Sequence, residues 1–281
     1  MSSIKLENLE INDYMIYQDK DSFNFGIDAV LLANFALREF YALSSKNEKV
    51  IKTKEPNKNS SIDSLRICDF CTGSLPIPLV MYAKRKMYLG DRVKIDAFEI
   101  DKEQVELCNK SLSYNKENVS DAQNILEDIK VFNEDINNLI NDKDKFKHLY
   151  ESYDMITVNP PYNREGCGIV SLNDKKNVAR HEIYITFDKI CKASSLLLKS
   201  NKKFYIVHHT ERFVEIVDTL KSNSFEIKKV QFVHTKIDKP SNLVLIEAVK
   251  NGKSGVRVLP PIIVFNNDGQ YTQNVQKIYG K

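Results

Sequence analysis

Long apolar runs are missing from this chain of 281 residues. No continuous apolar stretch approaches the roughly 20 residues that a membrane-spanning helix needs. The opening residues MSSIKLENLE also lack the apolar core of a signal peptide. We therefore expect a cytoplasmic protein with no membrane partner. With 42% hydrophobic residues, the chain can bury a sizeable core, as one large α/β domain or as one domain with an appendage.

Cysteine is scarce, and tryptophan is absent altogether. The five cysteines are an odd number, and only Cys68 and Cys71 are closely spaced, which does not favour disulfide bonds. A C-x-x-C pair can bind zinc only with two more well-placed ligands, and the sequence offers no matching second pair. We therefore predict no metal site.

Phosphate-binding glycine motifs are missing as well. The pattern G-x-x-x-x-G-K-[ST] does not occur, which excludes a P-loop. No glycine-rich phosphate cradle follows the first predicted strand, which argues against a dinucleotide cofactor. A cofactor with a ribose and an adenine but without phosphates fits the sequence better.

Predicted strands and helices alternate from Leu65 onward. The strands LRICDF, VKIDAFEI, KVFNED, YDMITV and KKFYIVHH are each followed by a helical pattern, which predicts a doubly wound, largely parallel sheet. Two strands in a row, FEIKKVQFVH and NLVLIEAV, then indicate an antiparallel partner at one edge. The fold class is therefore α/β, with a mixed sheet and helices on both faces.

Composition shifts divide the chain into four parts. Residues 1–40 form an N-terminal segment, in which Asp28 is placed to cap a helix that continues to Phe40. Residues 41–64 are polar and predict a surface loop. Residues 65–250 form the α/β domain, and residues 251–281 form a small C-terminal β extension.

Acidic residues end the first three strands of the α/β domain. Asp69 precedes a tight turn that contains Thr72 and Gly73, where backbone amides can approach a ligand. Glu99 ends the second strand and can accept hydrogen bonds from both ribose hydroxyls. Asp135 follows the third strand and can accept from an adenine amino group. Each acid alone is as typical of a helix cap, but together they predict an S-adenosylmethionine site.

The fourth strand ends in Asn159-Pro160-Pro161-Tyr162, which we call the NPPY segment. The prolines end the strand because they lack the backbone N–H that a sheet requires. The side-chain oxygen of Asn159 and the carbonyl of Pro160 can accept the two N–H bonds of an exocyclic amine, so that its lone pair turns toward an activated methyl group. Tyr162 can stack on the base that carries the amine. We therefore interpret the segment as catalytic.

These features resemble the class I S-adenosylmethionine-dependent N-methyltransferases of the NPPY type. SFNFGIDAVLLANFA before the cofactor turn and Ala179-Arg180-His181-Glu182 after the NPPY segment are similar, more narrowly, to the bacterial tRNA adenine-N6 methyltransferases. The resemblance covers roughly residues 15–250. It implies a Rossmann-like seven-stranded sheet whose last strand is antiparallel. It also implies methylation of the N6 amine of the adenosine immediately 3′ of the anticodon in a valine tRNA.

The resemblance extends to further site residues. It implies that the N-terminal segment packs over the cofactor, with Phe25 and Asp28 beside its methionine end. Arg180 and Arg212 are candidates for phosphate contacts with the RNA. The first turn departs from the family pattern D-x-G-x-G-x-G, because Cys71 and Leu75 replace two glycines. We expect this departure to weaken cofactor binding without abolishing it.

Charge distribution favours a polyanionic partner. Residues 221–281 contain ten Lys and Arg against four Asp and Glu, whereas the whole chain carries only +3. The expected partner is tRNA, and the protein is expected to be a monomer or a weak homodimer. Two alternatives stay open: a methyltransferase that acts on a protein glutamine amide, whose NH₂ has the same geometry, and an RNA-binding protein that has lost catalysis. His208 and His209 at the end of KKFYIVHH are interpreted as structural.

Overall fold

The computed structural model describes residues 4–19, 25–51, 64–90, 93–162 and 185–281, with the backbone alone for residues 43–51. The strands within these ranges are β1 (Ile4–Asn8), β2 (Met15–Asp19), β3 (Leu65–Phe70), β4 (Val93–Glu99), β5 (Ile129–Asn133), β6 (Tyr153–Val158), β7 (Leu198–His209), β8 (Phe225–His234), β9 (Ser241–Lys250), β10 (Arg257–Val258) and β11 (Ile262–Ile263). The α-helices are α1 (Ile27–Ile51), α2 (Pro76–Ala83), α3 (Arg85–Tyr88), α4 (Lys102–Asn118), α5 (Ile125–Asp128), α6 (Ile136–Asn141), α7 (Lys143–Phe146), α8 (Phe187–Leu197), α9 (Phe213–Ser222) and α10 (Gln273–Tyr279).

A single large sheet organises the domain. Its strands run in the order β10-β8-β9-β7-β6-β3-β4-β5, and β11 also pairs with β8. β5, β4, β3, β6 and β7 are parallel, whereas β9 is antiparallel to both of its neighbours, β7 and β8. The predicted mixed sheet with one antiparallel strand is confirmed: β3 to β9 are the seven predicted strands, and β10 and β11 extend the sheet to nine within the described residues. The carboxyl ends of β3, β4, β5, β6 and β7 therefore meet at one edge, where an open α/β sheet binds its ligands.

Two apolar cores cover the two faces of the sheet. Successive residues of a strand point to opposite faces, so Ile67 belongs to one core and Cys68 to the other. The first core includes side chains of α1, α2 and α4, and the second includes those of α6, α8 and α9. β6 contributes to both cores and is buried along its whole length, including its two polar residues, Asp154 and Thr157.

The N-terminal part of the chain is more regular than its sequence suggests. β1 and β2 form an antiparallel hairpin whose turn uses Asn12 and Asp13 with positive φ. Helix α1 begins at Ile27, one residue before the predicted cap Asp28, and continues to Ile51. The prediction of a loop is therefore wrong for residues 41–51, where no proline or glycine interrupts the helix. Residues 52–63 of that predicted loop lie outside the described residues.

The C-terminal residues extend the same sheet. β10 and β11 each add two residues in parallel to the outer side of β8. An isolated bridge joins Phe265 to Tyr271, and α10 follows it. Among the helices within the described ranges, none has the length and apolar character that a bilayer crossing requires.

Candidate active site

The turn after β3 has the left-handed backbone positions that favour glycine, although Gly73 is the one glycine it contains. Cys71, Gly73 and Leu75 all have positive φ, at 54°, 56° and 80°. For a residue other than glycine this left-handed conformation costs roughly 1–2 kcal/mol, so packing must hold Cys71 and Leu75 in place. Leu75 is fully buried at the start of α2, whereas a Cβ on Gly73 would meet open space. The two missing glycines therefore leave the fold of the turn intact.

Asp69 lies completely buried at the end of β3. Its Oδ1 accepts a hydrogen bond from Thr157 Oγ1 at 2.5 Å, whereas Oδ2 has no hydrogen-bond partner in the described part of the chain. Burial raises the pKa of Asp69 to about 7, and the hydroxyls of Thr157 and Thr72 oppose that rise. Thr72 Oγ1, three residues on, lies near the Asp69 carboxylate and helps to lower its pKa, but within the described ranges it makes no hydrogen bond of good geometry. Both atoms fit a ligand that supplies the missing hydrogen bonds, because buried polar groups are rarely left unpaired.

Replacing Asp69 by Asn should change how stability depends on pH. Between the ordinary pKa of 3.8 and the folded value of about 7, the folded protein keeps a proton that the unfolded chain has released. Asp69 therefore destabilises the ligand-free fold increasingly as the pH rises through this range. Asp69→Asn should therefore raise the free energy of unfolding. We expect this increase to be about 2–3 kcal/mol larger at pH 8 than at pH 5. Urea titrations of the wild type and the variant at both pH values measure the change in stability. A change that is the same at pH 5 and pH 8 would contradict the prediction.

Glu99 is tied to the same turn. Its Oε2 accepts from the backbone N–H of Gly73 at 2.8 Å, and its Oε1 accepts from the N–H of Asp101 at 3.0 Å. Burial raises the pKa of Glu99, although these backbone bonds favour the charged form. Each oxygen retains a second lone pair, so the carboxylate can still accept from two hydroxyl groups of a ligand.

Asp135 also lies at this edge, at the start of α6. It caps that helix, because its Oδ1 accepts from Asn137 N at 2.8 Å. Two apolar side chains that sequence reasoning missed, Ile100 and Phe132, are about 40% exposed at the ends of β4 and β5. Phe132 stacks on Phe98 with ring centroids 5.1 Å apart. The exposed surfaces of Ile100 and Phe132 can pack against a flat apolar ring bound beside Glu99 and Asp135. In the sequence, the position of these two residues at strand ends was the one indication of such a role.

The NPPY segment lies directly beside the turn, because β6 is the neighbour of β3 and Val158 pairs with Phe70. Its side chains are joined to the start of α1. The Tyr162 hydroxyl donates to Asp28 Oδ2 at 2.7 Å and also to Asn159 Oδ1. Asn159 Nδ2 donates to the same Asp28 oxygen at 3.3 Å. Burial and the Asp28 carboxylate raise the pKa of Tyr162, so its hydroxyl stays protonated and serves as the donor.

The backbone before Asp28 is crowded. A Cβ on Gly26 would lie 2.6 Å from Asp28 Oδ1, an oxygen that accepts from the Ala29 N–H at 3.0 Å. Glycine at this position therefore leaves room for the carboxylate. Phe25 packs, partly buried, against the first core.

Arg212 is buried, contrary to the prediction that it contacts phosphate. Its Nη2 and Nε bind the Glu215 carboxylate at 2.6 and 3.3 Å, and its Nη1 donates to the carbonyl of Tyr162 at 3.3 Å. The prediction of a phosphate contact is wrong for Arg212, because its guanidinium is engaged inside the protein. Arg180 lies outside the described residues, as do His181 and Glu182.

The two histidines at the end of β7 contact the catalytic candidate Tyr162. The ring of His209 lies 4.3 Å from that of Tyr162 between centroids, and the ring of His208 lies 5.2 Å from it. His208 is fully buried, and its Nδ1 accepts the His209 N–H at 2.8 Å. Burial, together with Arg212 and His209, lowers the pKa of His208 to about 3, so the ring is neutral. The histidines therefore support Tyr162 from one side.

The assembled edge contains acceptors for a nucleoside and for an amine, but it offers no cluster suited to a metal ion in the described ranges. The described cysteines, Cys68, Cys71, Cys108 and Cys191, are all free. Burial raises the pKa of the Cys71 thiol well above its ordinary value, which leaves it a poor nucleophile. The chemistry available at this edge is therefore hydrogen bonding and positioning.

Comparison with known proteins identifies the fold. No protein-family model matches the chain, and no curated protein does. Among solved structures, the predicted O-methyltransferase Atu636 from Agrobacterium tumefaciens is 16% identical, with 90% of this chain and 95% of that chain covered and a TM-score of 0.62. Trm5 from Methanocaldococcus jannaschii in complex with adenosine is 12% identical, with 90% of this chain and 58% of that chain covered and a TM-score of 0.50. The chain is thus similar to methyltransferases in structure and has their Rossmann-like class I fold.

Proposed function

We propose that this protein uses S-adenosylmethionine to methylate the exocyclic N6 amine of an adenosine in tRNA. One observation carries the proposal: the carboxamide of Asn159 is held by Asp28 and Tyr162 at the end of β6, beside the turn that contains Asp69. An amide in this position can orient an amine next to a cofactor bound at the turn. The adenosine immediately 3′ of the anticodon is the proposed target, on the resemblance of the flanking segments.

The cofactor would be held by residues at the ends of β3, β4 and β5. Glu99 would accept from the ribose hydroxyls, and Asp135 would accept from the adenine amine. The unpartnered atoms of Asp69 and Thr72 fit the polar methionine end. Phe25 and Asp28 border the same region from the N-terminal segment. When bound, the cofactor supplies an activated methyl group on sulfur.

The protein's part in the reaction is to position the amine. Asn159 Oδ1 has two lone pairs, and the Tyr162 hydroxyl uses one of them, so the other can accept an N–H of the substrate. The carbonyl of Pro160 accepts the second N–H, while Pro161 keeps the segment out of the sheet. Tyr162 remains partly exposed and can stack on the target base. This arrangement requires no general base before methyl transfer, because the extra proton leaves afterwards.

An anticodon loop suits this site because its bases are only partly stacked and are easily turned outward. The excess of lysine and arginine in residues 221–281 supports a polyanionic substrate. The alternative substrate is a glutamine side chain, whose NH₂ would meet the same two acceptors.

Transfer of labelled methyl groups distinguishes the candidates. The purified protein is incubated with labelled S-adenosylmethionine and either unmodified tRNA or a translation release factor. Label in tRNA, mapped to N6-methyladenosine by nucleoside analysis, is the expected result. Label in the release factor alone would favour the glutamine amide. Label in neither, despite tRNA binding, would favour a binding protein without catalysis.

A further inference from the structure

Two of the buried glutamines, Gln18 and Gln231, differ in whether their carboxamides are hydrogen-bonded. Gln231 on β8 is 4% exposed and satisfied: its Oε1 accepts from Arg38 at 3.1 Å and its Nε2 donates to the carbonyl of Pro260 at 2.8 Å. Gln18 on β2 is 2% exposed, yet neither its Oε1 nor its Nε2 has a hydrogen-bond partner within the described ranges. Burying a carboxamide whose oxygen and nitrogen are both unpaired costs folding free energy. Gln18 is therefore a candidate for binding a ligand that supplies the missing hydrogen bonds.

The position of Gln18 follows from the way β2 runs along α4. The backbone of Met15 bonds to the side chain of Asn115, and the N–H of Tyr17 bonds to Ser111 Oγ one helical turn earlier, at 2.8 and 2.9 Å. One further turn along α4 is Cys108, whose thiol donates to the carbonyl of Gly73 at 3.1 Å. The end of β2, where Gln18 stands, is therefore level with the cofactor turn.

Strand geometry sets the direction of the side chain. Gln18 shares a face with Ile16, because alternate residues of a strand point the same way. Ile16 is fully buried in the core that also contains Leu75 of the turn and Ala29 of α1. Gln18 therefore points inward, in agreement with its burial. Asp69 Oδ2 and Thr72 Oγ1, which lack hydrogen-bond partners within the described ranges, belong to the turn with which the end of β2 is level.

We propose that Gln18 binds the zwitterionic amino-acid end of the cofactor, with Nε2 donating to its carboxylate and Oε1 accepting from its ammonium group. This inference rests on the proposed cofactor. A carboxamide has a donor and an acceptor side by side, which matches an adjacent carboxylate and ammonium. Asp69 Oδ2 supplies a second acceptor for the ammonium, so the four unpartnered atoms form a complementary set.

The test compares two ligands that differ only at that end, S-adenosylhomocysteine and 5′-methylthioadenosine, by calorimetry without RNA. Gln18→Leu should weaken S-adenosylhomocysteine binding about 10- to 100-fold, since it removes hydrogen bonds to charged groups, and should leave methylthioadenosine binding unchanged. Gln18→Met, closer in shape, should give the same selective loss. Without ligand, both variants should unfold at the same temperature as the wild type or higher, because an unpaired buried amide has been removed.

Gln231→Leu is the matched control. It breaks satisfied hydrogen bonds far from the turn, so it should lower the unfolding temperature and leave both affinities unchanged. The inference would be overturned if Gln18→Leu and Gln18→Met weakened the binding of both ligands equally, or weakened the binding of neither, even if tRNA is methylated normally. Selective weakening with no methyl transfer to tRNA would uphold it and overturn the proposed substrate instead. If the wild type bound neither ligand, the cofactor and Gln18 proposals would both fall.

Discussion

Replacing Asn159 by Ala should reduce methyl transfer to tRNA about 10²- to 10³-fold, the range seen when one positioned polar group of a catalytic site is removed. The reason is geometric: without the carboxamide, only the carbonyl of Pro160 remains to hold the amine, and the amine loses its orientation toward the methyl group. Single-turnover rates with saturating cofactor and tRNA measure the effect on the chemical step directly. The affinity for S-adenosylhomocysteine should change little, because the turn after β3 is untouched.

A second asparagine provides the control. Asn251 follows β9 at the opposite edge of the sheet, where its side chain donates to Ser200 Oγ at 3.2 Å. Asn251→Ala makes the same chemical change and should leave turnover and tRNA affinity unaltered. If Asn159→Ala kept wild-type turnover, or if it lost tRNA binding with turnover intact, the catalytic role of Asn159 would be refuted.

Much of the fold could be predicted because its central strands are buried on both faces. The run from Tyr153 to Val158 is mostly apolar and forms β6 with those limits, since an interior parallel strand has no solvent face. The hairpin of β1 and β2 lacked such a signal, because its strands are five residues long and partly exposed. Helix α10 was also missed; it packs on the first core through Val275 and Ile278, and the ring of Tyr279 stacks on that of Tyr271 at 5.6 Å.

The candidate site divides in the same way. Asp69, Glu99 and Asn159 could be predicted to converge, because the carboxyl ends of parallel strands meet at one edge. The burial of Arg212 could not, since its partner Tyr162 is 50 positions away in the chain. The left-handed conformations of Cys71 and Leu75 could not be predicted either. A sequence shows that two glycines are missing, but it does not show the packing that holds other residues in this conformation. Gln18 gave no signal at all, because an unpaired amide is recognised only once its surroundings are known.

Replacing Asp28 by Ala should lower turnover about 10²-fold, the loss that a displacement of about 1 Å at a catalytic group can cause. Asp28 lies in the first turn of α1, and its carboxylate accepts from both Tyr162 and Asn159. Without it, the one hydrogen bond left to the Asn159 carboxamide within the described ranges is that from the Tyr162 hydroxyl, and the amide is free to rotate away from the amine. The loss should appear in kcat, with KM for tRNA nearly unchanged, because the orientation of the reacting group is disturbed more than binding.

Gly26→Ala should disturb the same carboxylate without removing it. The added Cβ would lie 2.6 Å from Asp28 Oδ1 and force the side chain to rotate away from Ala29 and Tyr162. Turnover should therefore fall in this variant as well. If both substitutions act through the same contact, adding Gly26→Ala to Asp28→Ala should cost little more, because the clash no longer exists. Independent, multiplying losses in the double variant would contradict this coupling and would indicate that Gly26 acts on the site by another route.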